Sequence, residues 1–232
     1  MVEMMDVMTE KQMITFLDEL YVRALDGVPG VSEPIEALAN DYLTKHATVE
    51  KAAESFINYQ IAKCTTSGFV TGLGGILTLP IAIPANISSV LYVQMRMIAC
   101  LAYMGGHEVR SDQVKTFVYA CLAGIGVGDI LKRLGIEISK KMAVQVIKKI
   151  PTKLIIAINK KVGFRLLTKF GSKGLINLGK GVPVLGGILG GAFDYVETKA
   201  IGNRAYKMFI EHDFDVQGDD IIDVEGEEVV KA

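Results

Sequence analysis

The chain has 232 residues, half of them apolar, 24 glycines, a mean hydropathy of +0.34 and a formal net charge of −1. That length supports one large domain with a substantial core, and the hydropathy lies above that of an ordinary soluble protein and below that of a polytopic transporter. An odd cysteine count with no CxxC excludes a disulfide framework and leaves Cys64, Cys100 and Cys121 as reduced, buried thiols.

The near-zero net charge hides three blocks of opposite sign. Residues 1–60 carry 11 acidic and 4 basic side chains, residues 129–180 carry 13 basic and 2 acidic, and residues 211–232 carry 9 acidic and 1 basic. The middle block is the electrostatic feature to explain. The N-terminus, MVEMMDVMTEKQ, has acidic residues where a secretory signal has basic ones, so a cytoplasmic protein is expected.

In chain order, Met13, Phe16, Leu17, Leu20 and Leu25 recur at helical spacing over 9–26 and stop at Gly27 and Pro29. Ser32 before Glu33 and Pro34 reads as the next helix start, with Glu36 suited to the N-terminal dipole and the helix continuing through Leu38 and Tyr42. From Cys64 to Met95 there is no charged residue, a length sufficient to cross a bilayer, since about 20 residues span one. Pro80 and Pro84 divide it, however, so two helices meeting at a proline corner are expected. Leu91, Met95, Ile98 and Ala102 then extend a helical apolar face to a cap at Gly105-Gly106, and Ser111 opens another helix. The basic block is divided at Pro151, a last long helix is expected from Pro183 to about Ile210, and the acidic tail is expected to be loosely ordered.

These elements predict an all-α fold, a single compact helical bundle with glycine-rich, closely packed central helices. Three segments are expected: acidic amphipathic helices over 1–54, a helical domain over 55–210 and the acidic tail over 211–232. The pentapeptide LGGIL occurs at 73–77 and at 185–189, and Gly68, Gly72, Gly75, Gly124, Gly128, Gly186, Gly187, Gly190 and Gly191 fall in pairs or at intervals of four. Residues four apart share a helix face, so such glycines are expected to form grooves where a second helix approaches closely.

Two stretches resemble the bacterial EcsC-like proteins. One runs from Pro80-Ile81-Ala82-Ile83-Pro84 through Gln94-Met95-Arg96-Met97-Ile98 to Ala102-Tyr103-Met104-Gly105-Gly106. The other runs from Val182-Pro183-Val184-Leu185-Gly186-Gly187 through Thr198, Gly202, Arg204, Ala205 and Phe209. The resemblance implies a helical, membrane-associated cytoplasmic protein, linked in some members to an ABC-transporter operon, and it carries over no catalytic activity.

Several motifs fail on their own chemistry. Gly174 to Gly181 matches GxxxxGK, but Gly181 stands where a P-loop needs a hydroxyl for Mg²⁺. Asp213, Asp215, Gln217 and Gly218 open like an EF-hand loop, yet Val224 occupies the bidentate glutamate position. His46, His107 and His212 have no ligand partner at metal spacing. No cofactor and no metal is expected, and the protein is read as noncatalytic. An enzyme would need Arg96, His107, Asp129 and Asp194 to converge in one pocket.

The basic block carries a pattern. Lys141 and Lys148 are seven apart, as are Lys153 and Lys160, while Lys161, Arg165, Lys169 and Lys173 follow at intervals of four. Beside them run Leu154, Ile158, Val162, Leu166 and Phe170, a composition suited to a membrane interface, with Gly163 and Gly171 inviting kinks. The expected partner is an anionic membrane surface, or a membrane protein, at the inner face of the membrane. The competing reading is a solvated basic face, and the lack of aromatic interleaving beyond Phe164 and Phe170 disfavours nucleic acid. A second reading is a soluble partner-binding or toxin-neutralising, immunity-like protein that uses its acidic ends for recognition.

Overall fold

Thr9 closes the first turn of the first helix with a capping box: its Oγ1 accepts from the Gln12 N–H at 3.2 Å while its own N–H donates to Gln12 Oε1 at 2.7 Å. The computed structural model describes residues 9–64, 85–133, 142–170 and 188–214, which contain α-helices and no β-strand. In order these are α1 (Glu10–Asp26), α2 (Ile35–Lys45), α3 (Val49–Cys64), α4 (Ala85–Met104), α5 (Asp112–Leu122), α6 (Gly128–Arg133), α7 (Ala143–Lys148), α8 (Thr152–Phe170) and α9 (Ile188–Ala205). A π-helical turn, Tyr206–Ile210, prolongs α9. The all-α expectation, the start of α1 and the break at Pro151 are all realised.

Helix α4 is the hub, packed against α1, α2, α3, α5 and α9. From Ser88 to Ala102 every residue but the half-buried Val90 is buried, so Leu91, Met95, Ile98 and Ala102 belong to a helix enclosed on all sides rather than to one apolar face. No helix among the described residues is long and apolar enough to cross a membrane. The segment 65–84, with the first LGGIL and Gly68, Gly72 and Gly75, lies outside the described residues, as do Gly186 and Gly187.

The end of α4 shows why the Gly105-Gly106 step was legible. Gly106 adopts φ +80°, its N–H donates to the Tyr103 carbonyl at 2.9 Å, and the His107 N–H donates to the Ala102 carbonyl at 3.0 Å, a Schellman cap. The same geometry ends α5, where Gly124 has φ +67° and the Ile125 N–H reaches the Ala120 carbonyl at 2.8 Å. That corrects the expected pairing of Gly124 with Gly128 on one helix face: Gly124 forms a turn, and α6 begins only at Gly128. Gly190 and Gly191 do lie on α9.

Among the described residues, close helix approach occurs at Gly163 and Gly202. A Cβ on Gly163 would meet the Glu10 carbonyl oxygen at 3.1 Å, where the start of α1 crosses α8, and one on Gly202 would meet Ile57 Cγ2 at 3.0 Å. Helix α8 runs through Gly163 without a break.

Ser32 is also corrected. Helix α2 starts after Pro34 with no side-chain cap. The Ser32 hydroxyl instead accepts from the Val28 N–H at 3.0 Å and lies 2.6 Å from the Tyr92 hydroxyl, pinning the α1–α2 turn to α4.

One buried apolar cluster runs from Met13 to Phe214. The boundary expected at 54/55 falls inside α3, and the N-terminal helices share the central core. Tyr21 donates to the Val109 carbonyl at 2.6 Å, Tyr119 donates to Asp18 Oδ1 at 2.9 Å, and Arg110 bridges Asp26 and Glu36 at 2.9 and 3.1 Å. The first residues of the tail, up to Phe214, are described. Phe214 is buried and meets Phe117 edge to face at 5.7 Å. Residues 215–232 lie outside the described residues.

Candidate functional site

Helix α8 sorts the basic residues onto different faces. Lys153, Lys160 and Lys161 are exposed, as is Lys148 on α7, whereas Arg165 is half-buried and Lys169 forms an ion pair with Glu197. Lys141 and Lys173 lie outside the described residues. The cause is helical geometry. A step of four residues at 3.6 per turn rotates about 40°, so the series Lys161, Arg165, Lys169 winds from the outer face to the inner one. Arg165 therefore stands almost two full turns above the buried Ile158, and Lys169 above the buried Val162.

The expected apolar partners are not at the surface. Leu154, Ile158, Val162 and Leu166 are at most 3% exposed, in the core where α8 meets α1 and α5. The outer face has apolar residues of its own. Ile156 is 63% exposed and Phe164 58%, among the most exposed large hydrophobic side chains described. Ile156, Lys160 and Phe164 follow at intervals of four, with Lys153 three before Ile156 and Lys161 three before Phe164, so each is a surface neighbour of the next. Sequence reading missed Ile156 and named Phe164 only as one of two aromatics in the basic block, because the stronger apolar series 154-158-162-166 runs beside them. Lys153, Lys160 and Lys161 form no ion pair among the described residues.

A second feature is a cavity of about 470 Å³ between the α1–α2 turn, α3 and α4, lined by Ser32, Glu33, Tyr59, Gln60, Tyr92 and Arg96, with Leu38 and Val93 on its apolar wall. Arg96 is 7% exposed and its NH1 donates to the Ala24 carbonyl at 3.0 Å. His107 lies elsewhere, buried against Phe209 and His212 with ring centroids 5.3 and 5.4 Å away. Its ring nitrogens have no hydrogen-bond partner among the described residues, and burial, followed by the nearby His212, pushes its pKa down to about 4. Arg96 and His107 thus do not share a pocket, and the side chains of Asp129 and Asp194 lie outside the described residues. Burial raises the pKa of the free thiols of Cys100 and Cys121, the state of inert core thiols.

Arg204, in the second family-like stretch, is buried and donates from NH1 to the Cys121 carbonyl at 2.8 Å, placing a cation at the C-terminal end of α5, where the helix dipole favours it. Thr198, on the same helix, receives a long hydrogen bond of 3.4 Å from Gln94 Nε2, which ties together the two stretches that carried the resemblance.

No curated protein and no solved structure matches the chain. The sequence profile of the EcsC protein family matches residues 47–210, from the start of α3 through the π-helical turn, and the chain belongs to that family.

Proposed function

We propose that the protein is a noncatalytic, peripheral membrane protein that docks the outer face of α8 onto an anionic bilayer surface at the cytoplasmic side. The observation that carries this reading is the interleaving of exposed Ile156 and Phe164 with Lys153, Lys160 and Lys161 on one face. Apolar side chains beside lysines suit the headgroup boundary, because the lysine stems lie along apolar surface while the ammonium groups reach phosphates.

The magnitudes fit reversible binding. Each lysine near an anionic surface contributes about 1 kcal/mol, and each half-exposed apolar side chain about 1 kcal/mol more on entering the interface. A total of about 5 kcal/mol corresponds to a dissociation constant somewhat below 1 mM. Lys148 and Lys149, both exposed on the neighbouring segment, add to the positive field.

Co-sedimentation of the full-length protein with phosphatidylglycerol vesicles at low salt tests the reading. Binding is expected there, weaker in high salt and absent with phosphatidylcholine alone. Protein that stays in the supernatant under all three conditions contradicts it, as does a stoichiometric complex with an acidic protein that leaves vesicle binding absent.

A further inference from the structure

We infer that the cavity beside the α1–α2 turn is a binding site for a small molecule carrying a carboxylate or a phosphate monoester, with Arg96 as the anion anchor. This site is separate from the α8 face, which contributes no residue to its lining.

Arg96 carries the inference. Its guanidinium has five N–H donors, yet its only hydrogen bond among the described residues is the one to the Ala24 carbonyl, and no carboxylate among them pairs with it. A buried cation is costly unless paired and hydrogen-bonded, and the single bond to Ala24, in the last turn of α1, leaves most of its donors without a partner among the described residues. Arg96 is among the residues lining the cavity, and a guanidinium presents the planar fork that matches two oxygens of a carboxylate or phosphate.

The other walls agree with an organic anion rather than a bare ion. Gln60, 7% exposed, adds a buried amide to the lining, and Leu38 and Val93 offer an apolar side for the body of the ligand. Tyr92 is held by its contact with Ser32, so that wall is preorganised, while Tyr59, 47% exposed, stands at the mouth. The volume lies within the range of roughly 300–1,000 Å³ typical of small-molecule sites. Glu33, exposed at the rim, is the one acidic residue among the described lining residues and opposes an anion there.

Titration of the full-length protein with inorganic phosphate, phenyl phosphate and phenylacetate, followed by tyrosine fluorescence and by thermal unfolding, tests the assignment. Saturable one-to-one binding is expected for phenyl phosphate or phenylacetate, tighter than for inorganic phosphate; the stronger of the two aromatic probes identifies the anionic group. Arg96→Gln is expected to weaken binding roughly ten-fold or more, the scale of a charge-assisted hydrogen bond. Because that variant also loses the bond to Ala24, Glu33→Gln provides the second arm: the position is exposed, and binding is expected to tighten several-fold. No saturable binding of any probe to the parent protein, or affinities unchanged in both variants, overturns the assignment.

Discussion

Lys169 of α8 forms an ion pair with Glu197 of α9, whereas Lys161, eight residues earlier on the same helix, forms none among the described residues. The two lysines look equivalent in sequence and are not equivalent in the fold. Lys169→Glu places two carboxylates together where the side chains are 27% and 20% exposed, and is expected to cost about 1–3 kcal/mol, read as a lower midpoint in urea unfolding. The triple variant Lys153→Glu, Lys160→Glu, Lys161→Glu is expected to unfold like the parent to within about 1 kcal/mol, since exposed charges contribute little to stability, while losing vesicle binding.

The end of α4 provides a contrast between neighbouring glycines. A Cβ on Gly105 would overlap the Phe209 carbonyl, so Gly105→Ala must displace the π-helical turn from α4. Gly106 faces open space but has φ +80°, so Gly106→Ala costs only the left-handed backbone penalty of about 1–2 kcal/mol. Chemical denaturation of the two variants is expected to rank Gly105→Ala as the more destabilised; the reverse order would show that the Phe209 turn yields easily.

His107 sets a pH dependence. Its pKa is about 4 in the folded protein against an ordinary 6.5, so protonation favours the unfolded chain. The contribution is fully present above about pH 6.5 and is lost as pH falls toward 4. Its size is about 3 kcal/mol, because each tenfold loss of proton affinity on folding corresponds to about 1.4 kcal/mol. His107→Gln, which does not titrate, is expected to show a correspondingly shallower loss of stability between pH 6.5 and 4; an unchanged slope would assign the acid sensitivity to carboxylates.

Local signals were legible and long-range ones were not. The Ser111 cap, Gly105-Gly106 and Pro151 act within a few residues, and the helix boundaries follow them. Ser32 carries a local cap signal too, but its hydroxyl binds Tyr92, 60 residues further along, and that contact prevailed. Arg96 stood in a family-like stretch and among the four residues an enzyme would need, but its surroundings were not legible, because its carbonyl partner Ala24 lies 72 residues before it and the cavity is assembled from three separate segments. On α8 the interval-of-four pattern was visible, but its rotation around the helix decides which cations reach solvent, and that required knowing which face α1 and α5 cover. Close packing at glycine was anticipated as a principle, while Gly163 and Gly202, where the structure shows it, were not singled out for it.

Membrane contact through α8 is tested most directly at Phe164. The chain contains no tryptophan, so Phe164→Trp places a single indole reporter at the centre of the proposed face. On addition of phosphatidylglycerol vesicles at low salt its emission is expected to shift to the blue and to become protected from an aqueous quencher, with both changes reversed by high salt. A Trp spectrum and quenching that are the same with and without anionic vesicles would contradict the proposal.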